Sequence, residues 1–334
     1  MISRRWVLVC AATAMLANPL RLFGQAPGKV YRVGYLNFRA APSAADEAFV
    51  SGMRELGYSV GRNLVIEYRW AGNDEARLPP LAGELVRLKV DVIVTAGTPA
   101  TRAAMQAAGT IPIVMAAVAA PVGTGLVATL GRPGGNVTGM TLQSTDLARK
   151  RLQLIRDIVP RATRIALLVR ADDAQPDPSR GGSTALLVAE TKAAARQLGI
   201  VLLARTVANA DELPDAFAQF RREQAQALIV QVSPLALDQR ARIAELAVRQ
   251  RLPAMYEIRN FVDAGGLVSY GPDLQDMYRR AATYVDRIFR GAKAGDLAIE
   301  QPGKFEMVIN MQTANALGIT FPQSVLLRAD EVIR

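Results

Sequence analysis

From Val30 onward the chain alternates short apolar runs with longer stretches in which apolar residues recur every three or four positions. The short runs read as buried strands and the longer stretches as helices lying on a sheet. Strands are expected at residues 30–36, 63–70, 91–95 and 111–118, and again at 165–170, 200–206, 227–232, 254–257, 267–270 and 304–310. Between them, Phe49, Met53 and Leu56 mark one helical face, opened by Ser43 as N-cap and stopped by Gly57. Leu78, Leu81, Leu85 and Leu88 mark a second. Further helices are expected at 146–158, up to Leu198-Gly199, and at 211–222, 238–251 and 273–290.

Alternating strands and helices imply parallel sheets covered by helices on both faces, with ligands meeting the carboxyl ends of the strands. The regular alternation breaks once, at Gly131-Arg132-Pro133-Gly134-Gly135-Asn136. Glycine and proline at this density disrupt regular structure. The expectation is two Rossmann-like α/β lobes, residues 30–140 with part of 272–300 and residues 141–271 with part of 301–334. The crossing between them is expected near Thr138–Thr141, as a hinge. Strand-end loops then fall at Asn37, Thr98, Ala119, Arg170, Ser233, Tyr256 and Tyr270. Thr98 reads as an N-cap and Pro99 as the first helical residue, so the N–H groups behind them could hold a carboxylate or phosphate. Simple capping accounts for the same residues.

Residues 1–26 read as a secretory leader. Arg4 and Arg5 precede an apolar run, and Gly24-Gln25-Ala26 offers a small-residue cleavage site. Ser3-Arg4-Arg5 is compatible with twin-arginine export. The one cysteine, Cys10, lies in this leader, and the chain has no histidine. Disulfides, thiol nucleophiles, Ser-His-Asp catalysis and His- or Cys-ligated zinc are thereby excluded from the mature protein. The excess of ten basic over acidic residues falls to seven when Arg4, Arg5 and Arg21 leave with the leader. Acids and bases interleave, as in Arg221-Arg222-Glu223, so no nucleic-acid surface is expected. Gly123-Thr124-Gly125-Leu126-Val127-Ala128 fits a dinucleotide fingerprint, but Pro121 and the Gly-rich break deny it the strand-turn-helix context. No cofactor is expected.

Several ordered phrases carry a family resemblance: residues 32–36 (RVGYL), 49–58 (FVSGMRELGY), 61–64 (GRNL), 121–127 (PVGTGLV), 132–139 (RPGGNVTG), 264–272 (AGGLVSYGP), 305–310 (FEMVIN) and 327–333 (LRADEVI). The chain resembles an ABC transporter substrate-binding protein of the tryptophan/tyrosine-type family, whose fold is the type I periplasmic binding protein. The resemblance implies one ligand held between two lobes, near Leu36, Asn37, Phe38, Gly97, Thr98, Pro99, Ala119 and Ala120. On the far lobe it implies Arg170, Ser233, Tyr256 and Tyr270. Where the family often carries Asp before Pro121, this chain has Ala120, which removes a partner for a ligand ammonium; Glu257 or Asp172 is expected to stand in.

The implied function is the periplasmic, monomeric solute-binding component of an importer, passing a small molecule to an inner-membrane ABC permease. The expected ligand is carboxylate-bearing with a flat apolar part, an aromatic amino acid or aromatic acid stacked by Phe38, Tyr256 and Tyr270. A ligand sensor without transport would use the same lobes. A secreted enzyme would need an acid/base pair such as Asp172 with Glu257.

Overall fold

The computed structural model describes residues 29–142, 147–171 and 183–334. The leader, Asp172 and the expected helix start at Asp146 lie outside the described residues. Five parallel strands, β1 (Tyr31–Asn37), β2 (Leu64–Trp70), β3 (Val92–Ala96), β4 (Ile113–Val118) and β5 (Val137–Thr141), form a first sheet in the order β2-β1-β3-β4-β5. A second sheet takes β6 (Arg164–Arg170), β7 (Val201–Val207), β8 (Ala227–Val230), β9 (Ala254–Tyr256), β10 (Val268–Pro272), β11 (Phe305–Asn310) and β12 (Glu331–Ile333). Its order is β12-β11-β10-β9-β8-β6-β7, and only the β10–β11 pair is antiparallel among its described pairings. This is the α/β architecture of two parallel-dominated sheets that the alternation predicts.

The helices follow the strands. α1 (Ala44–Glu55), α2 (Leu78–Arg87) and α3 (Thr98–Ala107) accompany the first sheet. α4 (Ala148–Ile158), α5 (Ser183–Gln197), α6 (Leu213–Arg222), α7 (Pro234–Asp238), α8 (Arg240–Arg249) and α9 (Asn260–Asp263) accompany the second. α10 (Leu274–Phe289) returns to the first sheet, and α11 (Met311–Leu317) and α12 (Gln323–Leu326) close the chain. Ser43 caps α1 as expected, in a capping box in which its backbone N–H and hydroxyl meet the Asp46 carboxylate at 2.6 and 2.7 Å. α10 packs on α1 at Gly52, where a Cβ would stand 2.6 Å from the Arg279 carbonyl oxygen, so a side chain there would drive the helices apart.

The chain passes between the sheets three times: after β5, from β10 into α10, and back into β11. The last passage runs beside β5, with Glu300 N–H donating to Gly139 O at 2.9 Å and the Thr138 hydroxyl to Leu297 O at 2.7 Å. Thr138–Thr141, expected as the crossing, is thus an edge strand, buried throughout. The core divides by strand alternation. On β6, Ala166 and Leu168 face a cluster continuous with the first sheet, while Ile165, Leu167 and Val169 face a second cluster beneath α4 and α5.

Candidate functional site

The carboxyl ends of the two sheets enclose a cleft with about 670 Å³ of non-atom space, part of it continuous with solvent. Its first wall is built by Asn37 and Arg39 at the end of β1, by Ala96 to Pro99 across the β3–α3 junction, and by Ala117 and Ala119 at the end of β4. The second wall is Arg170 at the end of β6, Thr184 on α5, and the β8–α7 segment Gln231, Val232, Ser233, Pro234 and Leu237. Leu142, after β5, and Leu274 and Tyr278, on α10, complete it. The contributing strands β1, β3 and β4 are the central three of their sheet, and β6 and β8 are neighbours in theirs.

The first wall is rich in hydrogen-bond donors. Asn37 is fully buried; its Oδ1 accepts from Arg39 N–H at 3.1 Å, which fixes the amide orientation and leaves Nδ2 without a protein acceptor. Gly97, not Thr98, is the cap of α3, with Thr98 first and Pro99 second in the helix. The reason is the backbone: Gly97 has φ 80°, a conformation glycine adopts freely and threonine does not. A Cβ at Gly97 would also meet Pro234 Cγ of the opposite wall at 3.3 Å. The N–H groups of Thr98 and Ala100 have no intrahelical acceptor, and the positive end of the α3 dipole lies with them.

The second wall offers mixed chemistry. Gln231 is buried and its Oε1 has no hydrogen-bond partner. Ser233 caps α7, accepting from Ala236 N–H at 3.1 Å and keeping its own hydroxyl hydrogen available. The Thr184 hydroxyl donates to Arg170 O at 2.8 Å. Burial pushes the Tyr278 phenol well above its usual range, so it stays neutral.

Two cation-carboxylate pairs join the walls. Arg39 Nε meets Asp238 Oδ1 at 2.7 Å while its NH1 stays 3.6 Å from Asp46. Arg170 pairs with Glu75, and its guanidinium carbon lies 4.6 Å from the centroid of the Phe38 ring. No acidic residue is among the described residues lining the cleft.

Of the residues expected from sequence, Asn37, Gly97, Thr98, Pro99, Ala119, Arg170 and Ser233 meet at the cleft. Leu36 points into the core, and Phe38 lies buried beneath Arg170. Ala120 takes a left-handed φ of 43°, and its carbonyl accepts both the N–H and the hydroxyl of Thr124. Tyr256 is wholly buried and stacks on Phe261 at 4.9 Å. Tyr270 packs against Phe305, with ring centroids 6.3 Å apart. Glu257 is held in an interior ion pair: Arg151 NH1 lies 2.7 Å away and Val232 N–H donates to it at 3.0 Å. It therefore faces neither a ligand ammonium nor a substrate.

Sequence reasoning missed Arg39, Gln231 and Tyr278. Gln231 carried a signal, as a polar residue at the end of an otherwise apolar run. Tyr278 carried none, because α10 approaches from the opposite end of the chain. The dinucleotide-like stretch 123–128 lies in turns with no helix behind it. Among the described residues there is no cluster of His, Cys, Asp and Glu able to hold a metal, and no helix long and apolar enough to cross a membrane.

The chain is 26% identical over 274 residues to a tyrosine-binding protein of Clostridioides difficile (strain R20291), an alignment covering 82% of this chain and 76% of the relative. A conserved domain protein from Vibrio cholerae superposes with a TM-score of 0.84 at 27% identity, over 91% of this chain and all of that one. An ABC domain from Streptococcus pneumonia in complex with L-Trp superposes with a TM-score of 0.82 at 26% identity, again over 91% and 100%. More distant type I relatives, among them a leucine binding protein from Thermotoga maritima with a TM-score of 0.57 at 12% identity, share the fold. The profile of the ABC transporter substrate binding protein family matches residues 40–333, and the chain belongs to that family.

Proposed function

We propose that this protein is the periplasmic solute-binding component of an ABC importer, closing its two lobes on a small aromatic carboxylate and passing it to a membrane permease. The observation that carries the carboxylate is the donor set on the first wall: Asn37, whose Nδ2 has no protein acceptor, and Thr98, with its N–H and hydroxyl, line the same cleft at the start of α3. Arg39 and Arg170 line the same cleft, each already paired with a carboxylate, so the neutral donors of the first wall carry the recognition. The aromatic part rests on the relatives named for tyrosine and bound to L-Trp. In this chain it would lie against Pro99, Val232, Leu237, Leu274 and the one aromatic residue among the described lining, Tyr278. A leader at residues 1–26 would deliver the protein to the periplasm.

Native mass spectrometry of protein recovered from its own cell envelope tests the reading, followed by identification of the released molecule. A mass increment that resolves to an aromatic amino acid or aromatic acid is the expected result. A released sugar, polyamine or metal ion would overturn it.

A further inference from the structure

We infer that Gln231 is a specificity-determining residue that reads a neutral hydrogen-bond donor, a phenolic hydroxyl or ring N–H, at the end of the ligand remote from its carboxylate. The inference rests on the ligand class proposed above and adds the group that distinguishes its members.

Gln231 directly follows β8 and is 5% exposed. Its place is set by the backbone on both sides. Its own N–H donates to Leu168 O at 3.0 Å, and the N–H of Val232 donates to the Glu257 carboxylate at 3.0 Å. The side chain lines the cleft with Oε1 unsatisfied. A buried acceptor without a donor is unfavourable, and native structures retain few of them without a reason. A carboxylate cannot satisfy it, because it brings no hydrogen. The opposite wall supplies the donors a carboxylate needs, so the ligand meets Gln231 with its other end. No acidic residue is among the described residues lining the cleft, so an ammonium would find no counter-ion there and a neutral donor is favoured. A site built to bond a hydroxyl rejects the analogue lacking it, because the buried polar group is then left unpaired.

The test is calorimetry on two matched pairs, 4-hydroxyphenylacetate with phenylacetate and tyrosine with phenylalanine. The wild-type protein should bind the hydroxylated member about 10- to 100-fold more tightly. Gln231→Met keeps the volume and loses the amide, so the ratio should collapse to within about twofold, chiefly by weakening the hydroxylated member. Gln231→Glu keeps an acceptor and should keep the preference, which guards against a Met variant that fails to fold. An unchanged ratio in Gln231→Met, or an equal loss for both members of a pair, overturns the inference and leaves the ligand class standing. Binding of both members with equal affinity by the wild type does the same. If no member of either pair binds, the ligand class falls and this inference with it.

Discussion

Replacing Asp238 by alanine tests whether the cleft is held closed by the pairs at its rim. Asp238 ends α7 in the second lobe, and Arg39 follows β1 in the first, so their bond exists only while the walls are together. The Arg39 and Asp238 side chains are 11% and 15% exposed, which places the pair between a solvated surface bridge and a fully buried one. A charge-assisted hydrogen bond in such a setting contributes about 1.5–3 kcal/mol. Arg39 also lies 3.6 Å from Asp46 of its own lobe, so removing Asp238 still leaves it a carboxylate partner. The loss therefore falls on the closed form. If ligand binds that form, its affinity drops by the same free energy, about 10- to 150-fold. Asp238→Asn retains a neutral acceptor and should lose roughly half of that free energy. Calorimetry gives the affinity, stopped-flow fluorescence the dissociation rate, and small-angle scattering the compaction at saturation. The Glu245–Arg249 pair, 65% and 71% exposed, serves as control, because a pair so solvated contributes about 0–1 kcal/mol and lies away from the cleft. Wild-type affinity and dissociation rate in Asp238→Ala would refute the reasoning.

Three further outcomes are expected. Thr98→Ala removes one donor from the first wall and should weaken a carboxylate ligand about twofold to twelvefold by calorimetry; an unaltered constant would limit Thr98 to starting α3. Glu257→Gln keeps an acceptor for Val232 N–H but takes the carboxylate from Arg151, and should cost about 3–5 kcal/mol of stability in a urea titration. Asp330 is held below its ordinary value by the backbone N–H of Met307 and by Lys304. Its contribution is therefore present at neutral pH and lost as pH falls through the lowered value, so Asp330→Asn should be less stable than wild type at about pH 7, with the gap closing below about pH 4.

The central parallel strands were legible because they are apolar runs bounded by turn residues, a pattern that buried parallel strands require. What escaped is instructive at Gly139. In sequence, Val137-Thr138-Gly139 after a Gly-Pro cluster looks like linker. In the fold it is β5, and Gly139 is glycine because a Cβ would stand 2.2 Å from Met115 O on the neighbouring strand, at φ 127°. Glycine at a close approach inside a sheet and glycine in a hinge are written with the same letter. β12 escaped for another reason. Three residues carry too little periodicity to read, and Val332 pairs there with Ile309 because β11 turns antiparallel and exposes an edge.

The candidate site was half legible: Leu36 and Phe38 failed because they turn into the interior beside strand ends that do reach the cleft, and the aromatic residues of the second sheet failed for a different reason. Chain order reveals where strands end but not which of them are neighbours at the cleft. β9, the middle strand of seven, and β10 beside it lie beyond β8 from the cleft, and Tyr256, last in β9, and Tyr270, midway along β10, pack against Phe261 and Phe305 instead. Glu257 shows how the ambiguity could have been reduced. A carboxylate at a strand end suits a ligand ammonium or an interior cation equally well. Arg151 decides between them, because it falls four residues before Ile155 on the inward face of α4, where an arginine is tolerated only with a buried acid. Its side chain is 1% exposed, bonded to Glu257 and to the Tyr270 carbonyl, and so ties together the carboxyl ends of β8, β9 and β10. An inward-facing charge on a helix is thus a reason to look for its partner before assigning any strand-end acid to a ligand.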